Sequence, residues 1–372
     1  MTNQTQHISL EQAFQLAIQR QSAGELAAAR AIYEKILRAE PGHPESLTMW
    51  ASTLYRMGED EQAATGVDGA IDSYRNELAA MPNNDAVRAS MVNLLLARGR
   101  VAEAEAAVGK VSLPLQPRRD TPEAFEMRRR QAQQNDLPVI LINALPKSAS
   151  ESIWNKLANG LGMAQCHMTV GLFPDCCVIP DRARQVGRGG IAGKEHIAPT
   201  DHNVKALAAA GIDRLVVHFR DPRQALLSWA HFVSGDVGQR LLAPLWRKTV
   251  PPASVLTQPV EAQLPWYVEH YLPHQVAFID RWVAMADDPG CPLNVKPMTF
   301  EAFLTDPDSY FSDILAFYGL DAARFAADAE SETVHMRRGA ADEWRDVYDE
   351  PLRDRAWQAI PRSLADRYNW TR

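Results

Sequence analysis

LPVILINALPKSASESIWNKLANGL, residues 137–161, is the stretch whose reading decides the fold. Val139, Ile140, Leu141, Ile142 and Leu145 form a short run rich in branched apolar side chains, which predicts a buried strand. Ile153, Trp154, Leu157 and Leu161 then recur at helical spacing, with serines before them of the kind that start helices. A strand passing through a polar loop into a helix N-terminus turns unpaired backbone N–H groups toward one point. With Lys147 and several hydroxyls beside it, that point has the chemistry of an anion site.

Moving outward, 372 residues leave room for two domains, and the apolar and charged fractions (46% and 23%) are those of an ordinary soluble chain. The net charge of -7 argues against nucleic acid as a partner, while allowing a local basic pocket. No charged-then-apolar leader is read at the N-terminus and no apolar run is long enough to span a bilayer, so a cytoplasmic protein without a membrane partner is expected. Cys166, Cys176, Cys177 and Cys291 lack zinc-ligand spacing and are expected to be reduced thiols. No metal is expected.

Residues 8 to about 112 carry almost no strand signal and repeat themselves. Ala13, Leu16 and Ala17 precede Gly24-Glu25, then Ala28, Ala29, Tyr33, Leu37 and Pro41. Trp50, Ala51, Leu54 and Gly58-Glu59 open a second copy closed by Ala70, Tyr74, Leu78 and Pro82; Leu94, Leu95, Gly99, Ala102 and Ala104 make a third. Small residues let paired helices approach, glycine turns between them and proline follows the second. This stretch resembles tetratricopeptide repeats, which implies a helical array over 1–112 that binds a protein partner or a second copy of the chain. The second copy has about seven residues too many around Glu61 to Val67, predicting an extended or kinked helix. Residues 113–136, with Pro114, Pro117, Pro122 and Arg128-Arg129-Arg130, read as a polar, partly helical linker.

From 137 to 372 strands and helices alternate, predicting an α/β domain with a parallel sheet flanked by helices. Leu215-Val216-Val217-His218-Phe219 is a second strand ending in Arg220-Asp221-Pro222-Arg223, followed by a helix with Ala225, Leu226, Trp229 and Phe232 on its apolar side. Ligands of such sheets lie at the carboxyl ends of the strands, where Lys147 and Arg220 both fall and Ser228 follows closely. Leu293 to Met298 is a further strand, Phe311 to Tyr318 a helix, and Trp266, Tyr267 and Tyr271 begin a helix running to Met285. Ser234 to Gln263, rich in proline, reads as a loop or lid beside an acceptor site.

Four segments together resemble the sulfotransferases that use 3'-phosphoadenosine 5'-phosphosulfate (PAPS). Pro146-Lys147-Ser148-Ala149-Ser150 resembles their 5'-phosphosulfate loop, and Lys194-Glu195-His196-Ile197 the K-T-H-L segment that carries the catalytic histidine. Phe219-Arg220-Asp221-Pro222-Arg223 with Ser228, Trp229, His231 and Phe232 resembles the segment gripping the 3'-phosphate. Arg337-Arg338-Gly339-Ala340-Ala341-Asp342-Glu343-Trp344 resembles the R-K-G-x-x-G-D-W loop that closes over it. The resemblance implies a P-loop-like fold and PAPS as donor, with 3'-phosphoadenosine 5'-phosphate (PAP) as product and no metal. His196 is implied as base, Lys147 as the cation on the leaving group and Lys194 as support for the transferred group. Lys147, Ser148, Ala149, Ser150, Glu151, Ser152, Arg220, Ser228, Arg337, Arg338 and Gly339 are implied as the donor's binding residues. Histidine titrates near neutrality and suits a base, arginine forks suit phosphate oxygens, and glycine lets backbone approach an anion closely. Glu195, His167 and His202 are the competing bases.

This sequence departs from the pattern at Ala149, where glycine is usual, at Glu151, which sets a carboxylate beside the anion site, at Ser152 in place of a tryptophan, and at Phe300 in place of a tyrosine. A kinase-like phosphotransferase is one alternative, although Leu141 and Pro146 stand where a Walker loop needs glycine. An inactive scaffold acting through its repeats is the other. The acceptor, whether small molecule, carbohydrate or peptide, is not legible from these residues.

Overall fold

The computed structural model describes residues 8–108, 121–235, 249–326 and 342–372. Its N-terminal region is all-helical: α1 (Leu10–Ser22), α2 (Leu26–Ala39), α3 (Pro44–Met57), α4 (Asp60–Ala80), α5 (Asp85–Ala97) and α6 (Val101–Val108), each packed on the next. Local chemistry sets the ends. Ser9 and Gln12 form a reciprocal capping box at α1, Asn84 caps α5, and Gly58 closes α3 with a φ of 81° that disfavours any other residue. The surplus residues expected around Glu61 to Val67 lie within α4, 21 residues long and a continuous helix rather than a kinked one. Gly66 makes that packing close, since a Cβ there would lie 3.0 Å from the Trp50 ring.

The other body is built on a five-stranded parallel sheet of β1 (Ile140–Ala144), β2 (Ala164–Cys166), β5 (Ile191–Glu195), β6 (Arg214–Phe219) and β7 (Asn294–Thr299), in the order β2-β5-β1-β6-β7. Strand alternation divides its core. Leu141, Leu145, Val217 and Phe219 face Trp229, Tyr271 and Trp282, while Ile140, Ile142, Ala144 and Val216 face Ile153, Trp154 and Leu157 of α8 (Ser150–Leu161) together with Phe311, Ile314 and Leu315. The polar stretch before β1 forms α7 (Pro122–Gln134), whose Gln133 amide donates to the carbonyls of Arg188 and Gly189 and whose Ala132 is buried under the sheet.

A small hairpin, β3 (Thr169–Val170) with β4 (Cys177–Val178), joins the two bodies. Val170, Cys177 and Ile179 share one apolar cluster with Leu54, Tyr55, Val67, Ile71 and Met91 of the helical array. The array therefore packs directly on the hairpin.

The remaining α-helices among the described residues are α9 (Pro180–Val186), α10 (Asp201–Ala209), α11 (Pro222–Ser234), α12 (Ala253–Leu256), α13 (Val260–His270), α14 (Leu272–Asp287), α15 (Phe300–Thr305), α16 (Pro307–Phe317), α17 (Trp344–Val347), α18 (Glu350–Gln358) and α19 (Arg362–Arg367). The single helix expected from Trp266 to Met285 is two helices, α13 and α14, breaking at Tyr271. Pro273, in the first turn of α14, has no N–H to continue the ladder. Tyr267 and Tyr271 are fully buried in the core. No helix among the described residues is long and apolar enough to cross a membrane.

Candidate active site

The loop Leu145–Ala149 leaves the central strand β1 at the end where β5 and β6 also finish, with β5 paired on one side of β1 and β6 on the other. Lys147 and Ala149 both take left-handed backbone (φ 67° and 65°), so the chain curls tightly before α8 begins. The expected serine cap is absent: Ala149 occupies the N-cap position and no side chain caps the helix. First-turn N–H groups therefore keep their capacity for an outside acceptor. Ser148 does not offer its hydroxyl outward as the resemblance implies, because Oγ donates to the Leu145 carbonyl at 2.6 Å and the residue is buried. Ser150 and Ser152 stand in the first turn of α8.

At the end of β5, Lys194 and Glu195 point to opposite faces. Lys194 lies on the α8 side, above Trp154, and its ammonium is ion-paired with Glu151. Burial works to raise the Glu151 carboxyl, but the adjoining Lys194 ammonium and its hydrogen bond outweigh that and hold it below the usual range. Glu151 is thus the counter-ion of Lys194, and its side chain is no ligand for an anion. Glu195 faces the other way and is fully engaged, accepting from Met168 N at 2.5 Å and Thr169 Oγ1 at 2.6 Å, with His167 Nδ1 at 3.5 Å. Burial alone would raise this carboxyl as well; His167 and these donors keep it low. With its lone pairs committed to holding the β3 segment, Glu195 is poorly suited to take a proton from an acceptor.

His196 follows directly. Its Nδ1 is 2.5 Å from the Ala144 carbonyl oxygen, which can only accept, so Nδ1 carries the proton and Nε2 of the neutral ring presents a lone pair. Burial, reinforced by the Lys194 ammonium, pulls the imidazole down to about 4, against the weaker upward pull of the Ala144 bond and the two glutamates. The Phe173 ring stands edge-on to it at 6.5 Å. Of the other histidines, His202 Nε2 contacts the Val178 carbonyl at 3.3 Å and His167 lies against Trp154.

The third component comes from β6. Arg220 is buried, lies over the Phe300 ring at 4.2 Å and donates from Nη1 to the Lys147 carbonyl at 3.2 Å. The aromatic face of Phe300 is thus used even though the expected tyrosine hydroxyl is missing. Lys147 Nζ lies 4.2 Å above the Phe232 ring, and half-buried Ser228 sits one turn earlier on the same helix, α11. Lys147, Arg220 and the Ser228–Phe232 face are thereby gathered at one place. Arg337, Arg338 and Gly339 lie outside the described residues. Trp344, at the end of their motif, is buried with the Arg223 guanidinium stacked on it at 3.7 Å, and its backbone N–H donates to Gln224 Oε1 at the start of α11. Arg223 itself is structural: it pairs with Asp221 at 2.6 Å and donates to the Thr371 carbonyl at 2.7 Å.

Two residues missed in the sequence support this arrangement. His218, wholly buried, places Nε2 at 2.5 Å from the Ser148 carbonyl and Nδ1 at 2.8 Å from Tyr310 Oη. Nε2 must donate, so Nδ1 accepts from Tyr310, and burial holds the ring neutral by lowering it to about 4. Asn143 bonds both backbone groups of Ile197. The available signal was a polar side chain inside each apolar strand run.

No protein-family model matches the chain, and neither does any curated protein. Four chains among solved structures match. One is mouse sulfotransferase SULT7A1 complexed with PAP, 14% identical, with a TM-score of 0.39 over 64% of this chain and 88% of that one. At that identity and score the likeness assigns no residue a role.

Proposed function

We propose that this chain transfers a sulfuryl group from PAPS to a hydroxyl or amine acceptor, with His196 as the general base. The observation that carries the reading is the convergence at the carboxyl ends of β1, β5 and β6. An uncapped helix N-terminus, the Arg220 guanidinium on the Lys147 carbonyl with the Lys147 ammonium over the Phe232 ring, and an imidazole with its Nε2 lone pair available come together there.

PAPS, when bound, supplies the sulfuryl group and a phosphate leaving group. The residues present fit it: the first-turn N–H groups of α8 and the Lys147 ammonium suit its 5' end, and Arg220 with Ser228 suits a 3'-phosphate. Lys147 stabilises charge growing on the leaving oxygen. His196 accepts the acceptor's proton at Nε2 while Ala144 holds Nδ1–H. Unprotonated above about pH 4, the ring is in its basic form at neutrality and gains proton affinity when negative charge arrives beside it. Lys194 contributes once Glu151 yields its hold. In-line positioning and charge stabilisation then suffice, without a covalent enzyme intermediate.

Calorimetry tests the reading. PAP is expected to bind, and an analogue lacking the 3'-phosphate to bind at least about tenfold more weakly, since charge-assisted bonds contribute roughly 1.5–3 kcal/mol. Equal affinities, or no binding of PAP, reject it. With radiolabelled PAPS and a panel of sugar, small-molecule and peptide acceptors, His196→Ala should retain PAP binding and lose transfer; unchanged turnover rejects His196 as base.

A further inference from the structure

The β1–β5 ladder ends at the Asn143–Glu195 rung, so His196 begins a segment that no strand on that side continues. The Asn143 side chain takes over. Its Oδ1 accepts from Ile197 N at 2.6 Å and its Nδ2 donates to Ile197 O at 3.3 Å. A primary amide offers one acceptor and one donor, as a peptide group does, so Asn143 acts as one more rung of the sheet. Trp282 Nε1 secures the same Ile197 carbonyl at 3.0 Å, and Cys176 bridges Ile197 from the hairpin side. One residue along β1, the Ala144 carbonyl receives His196 Nδ1–H. Three residues beyond that comes Lys147.

We infer that Asn143 is a positioning residue: by clamping Ile197 to β1 it holds His196 against the Ala144 carbonyl, fixing which ring nitrogen carries the proton and where Nε2 stands relative to Lys147. Strand β1 then sets the spacing between the base and the cation of the leaving group. The buried amide is satisfied on both of its atoms, which an apolar residue of the same size could not reproduce for the Ile197 N–H. The kinetic part of the inference rests on the sulfuryl-transfer reading; the tautomer part does not.

The test uses the full chain with 15N-labelled histidine, the His196 signals being assigned by their loss in His196→Gln. In the parent protein the neutral His196 ring is expected as the Nδ1–H tautomer. In Asn143→Ala the tautomers should mix and the ring should titrate closer to an ordinary histidine. Asn143→Asp, which keeps the acceptor for Ile197 N, should lie between and serves if the alanine variant does not fold. In transfer assays kcat should fall about 10- to 100-fold with PAP affinity unchanged, the size expected when a reacting group is displaced by about an ångström. A purely structural role lowers the melting temperature without moving tautomer or titration, and that result overturns the inference. So does an Nε2–H ring in the parent protein. If the parent transfers sulfuryl to no acceptor, the functional reading falls, and the tautomer comparison still decides the role of Asn143.

Discussion

Replacing His218 by glutamine isolates the group that braces the Leu145–Ala149 loop. Glutamine can donate from Nε2 to the Ser148 carbonyl and accept from Tyr310 at Oε1, repeating both histidine bonds (2.5 and 2.8 Å) without a titrating ring. His218 is lowered to about 4 by burial, from about 6.5 in an unfolded chain. Between those values the unfolded state binds the extra proton, so stability rises with pH and is lost as pH falls from about 6.5 toward 4. By pH 5 the loss from this one ring comes to about 2 kcal/mol. His196 and the carboxylates held low also weaken the fold in acid, but they are common to both proteins and cancel in the comparison. Urea unfolding at pH 7 and pH 5 supplies the four free energies. At pH 7 the variant should lie within roughly 1.5 kcal/mol of its parent, the net value of a hydrogen bond. Between pH 7 and 5 it should lose about 2 kcal/mol less than the parent. An equal acid loss in both refutes the picture of a neutral, buried ring bearing the Ser148 carbonyl.

Three further substitutions probe the neighbouring elements. Glu151→Gln removes the counter-ion of Lys194 and should tighten PAP binding by roughly 0.5–1 kcal/mol, the range for a partly exposed pair; calorimetry showing unchanged or weaker binding rejects the counter-ion role. Ala149→Gly relieves a left-handed alanine and should stabilise the fold by about 0.5–1 kcal/mol in urea unfolding, after the added chain entropy of glycine is offset; a loss of stability contradicts this. Arg223→Met leaves Asp221 buried without its partner and frees the Thr371 carbonyl, so a cost of about 3–5 kcal/mol is expected with faster hydrogen exchange over 365–372. A cost below about 1 kcal/mol would show that the C-terminal segment is held by other contacts.

By itself the sequence determined the elements whose signal is local. The branched run before Lys147, the strand ahead of Arg220 and the apolar spacing of Ile153, Trp154 and Leu157 each state their own conformation, and glycine and proline mark the turns between the N-terminal helices. From these the parallel sheet, the helical N-terminal region and the meeting of Lys147 with Arg220 were legible, because ligands of such sheets gather at strand ends whatever the loops contain. Tertiary structure alone decided the rest. β2, with three residues, and β5, with Gly193, Lys194 and Glu195 inside it, owe their strand conformation to pairing rather than propensity. Partner choice at the site is likewise long-range: Lys194 takes Glu151 from 43 residues away, Glu195 takes the Met168–Thr169 edge, and Asn143 takes Ile197 across 54 residues. Local periodicity records which face of an element is apolar. It does not record which strands become neighbours, and that adjacency decides which carboxylate neutralises which cation and which imidazole nitrogen keeps its lone pair.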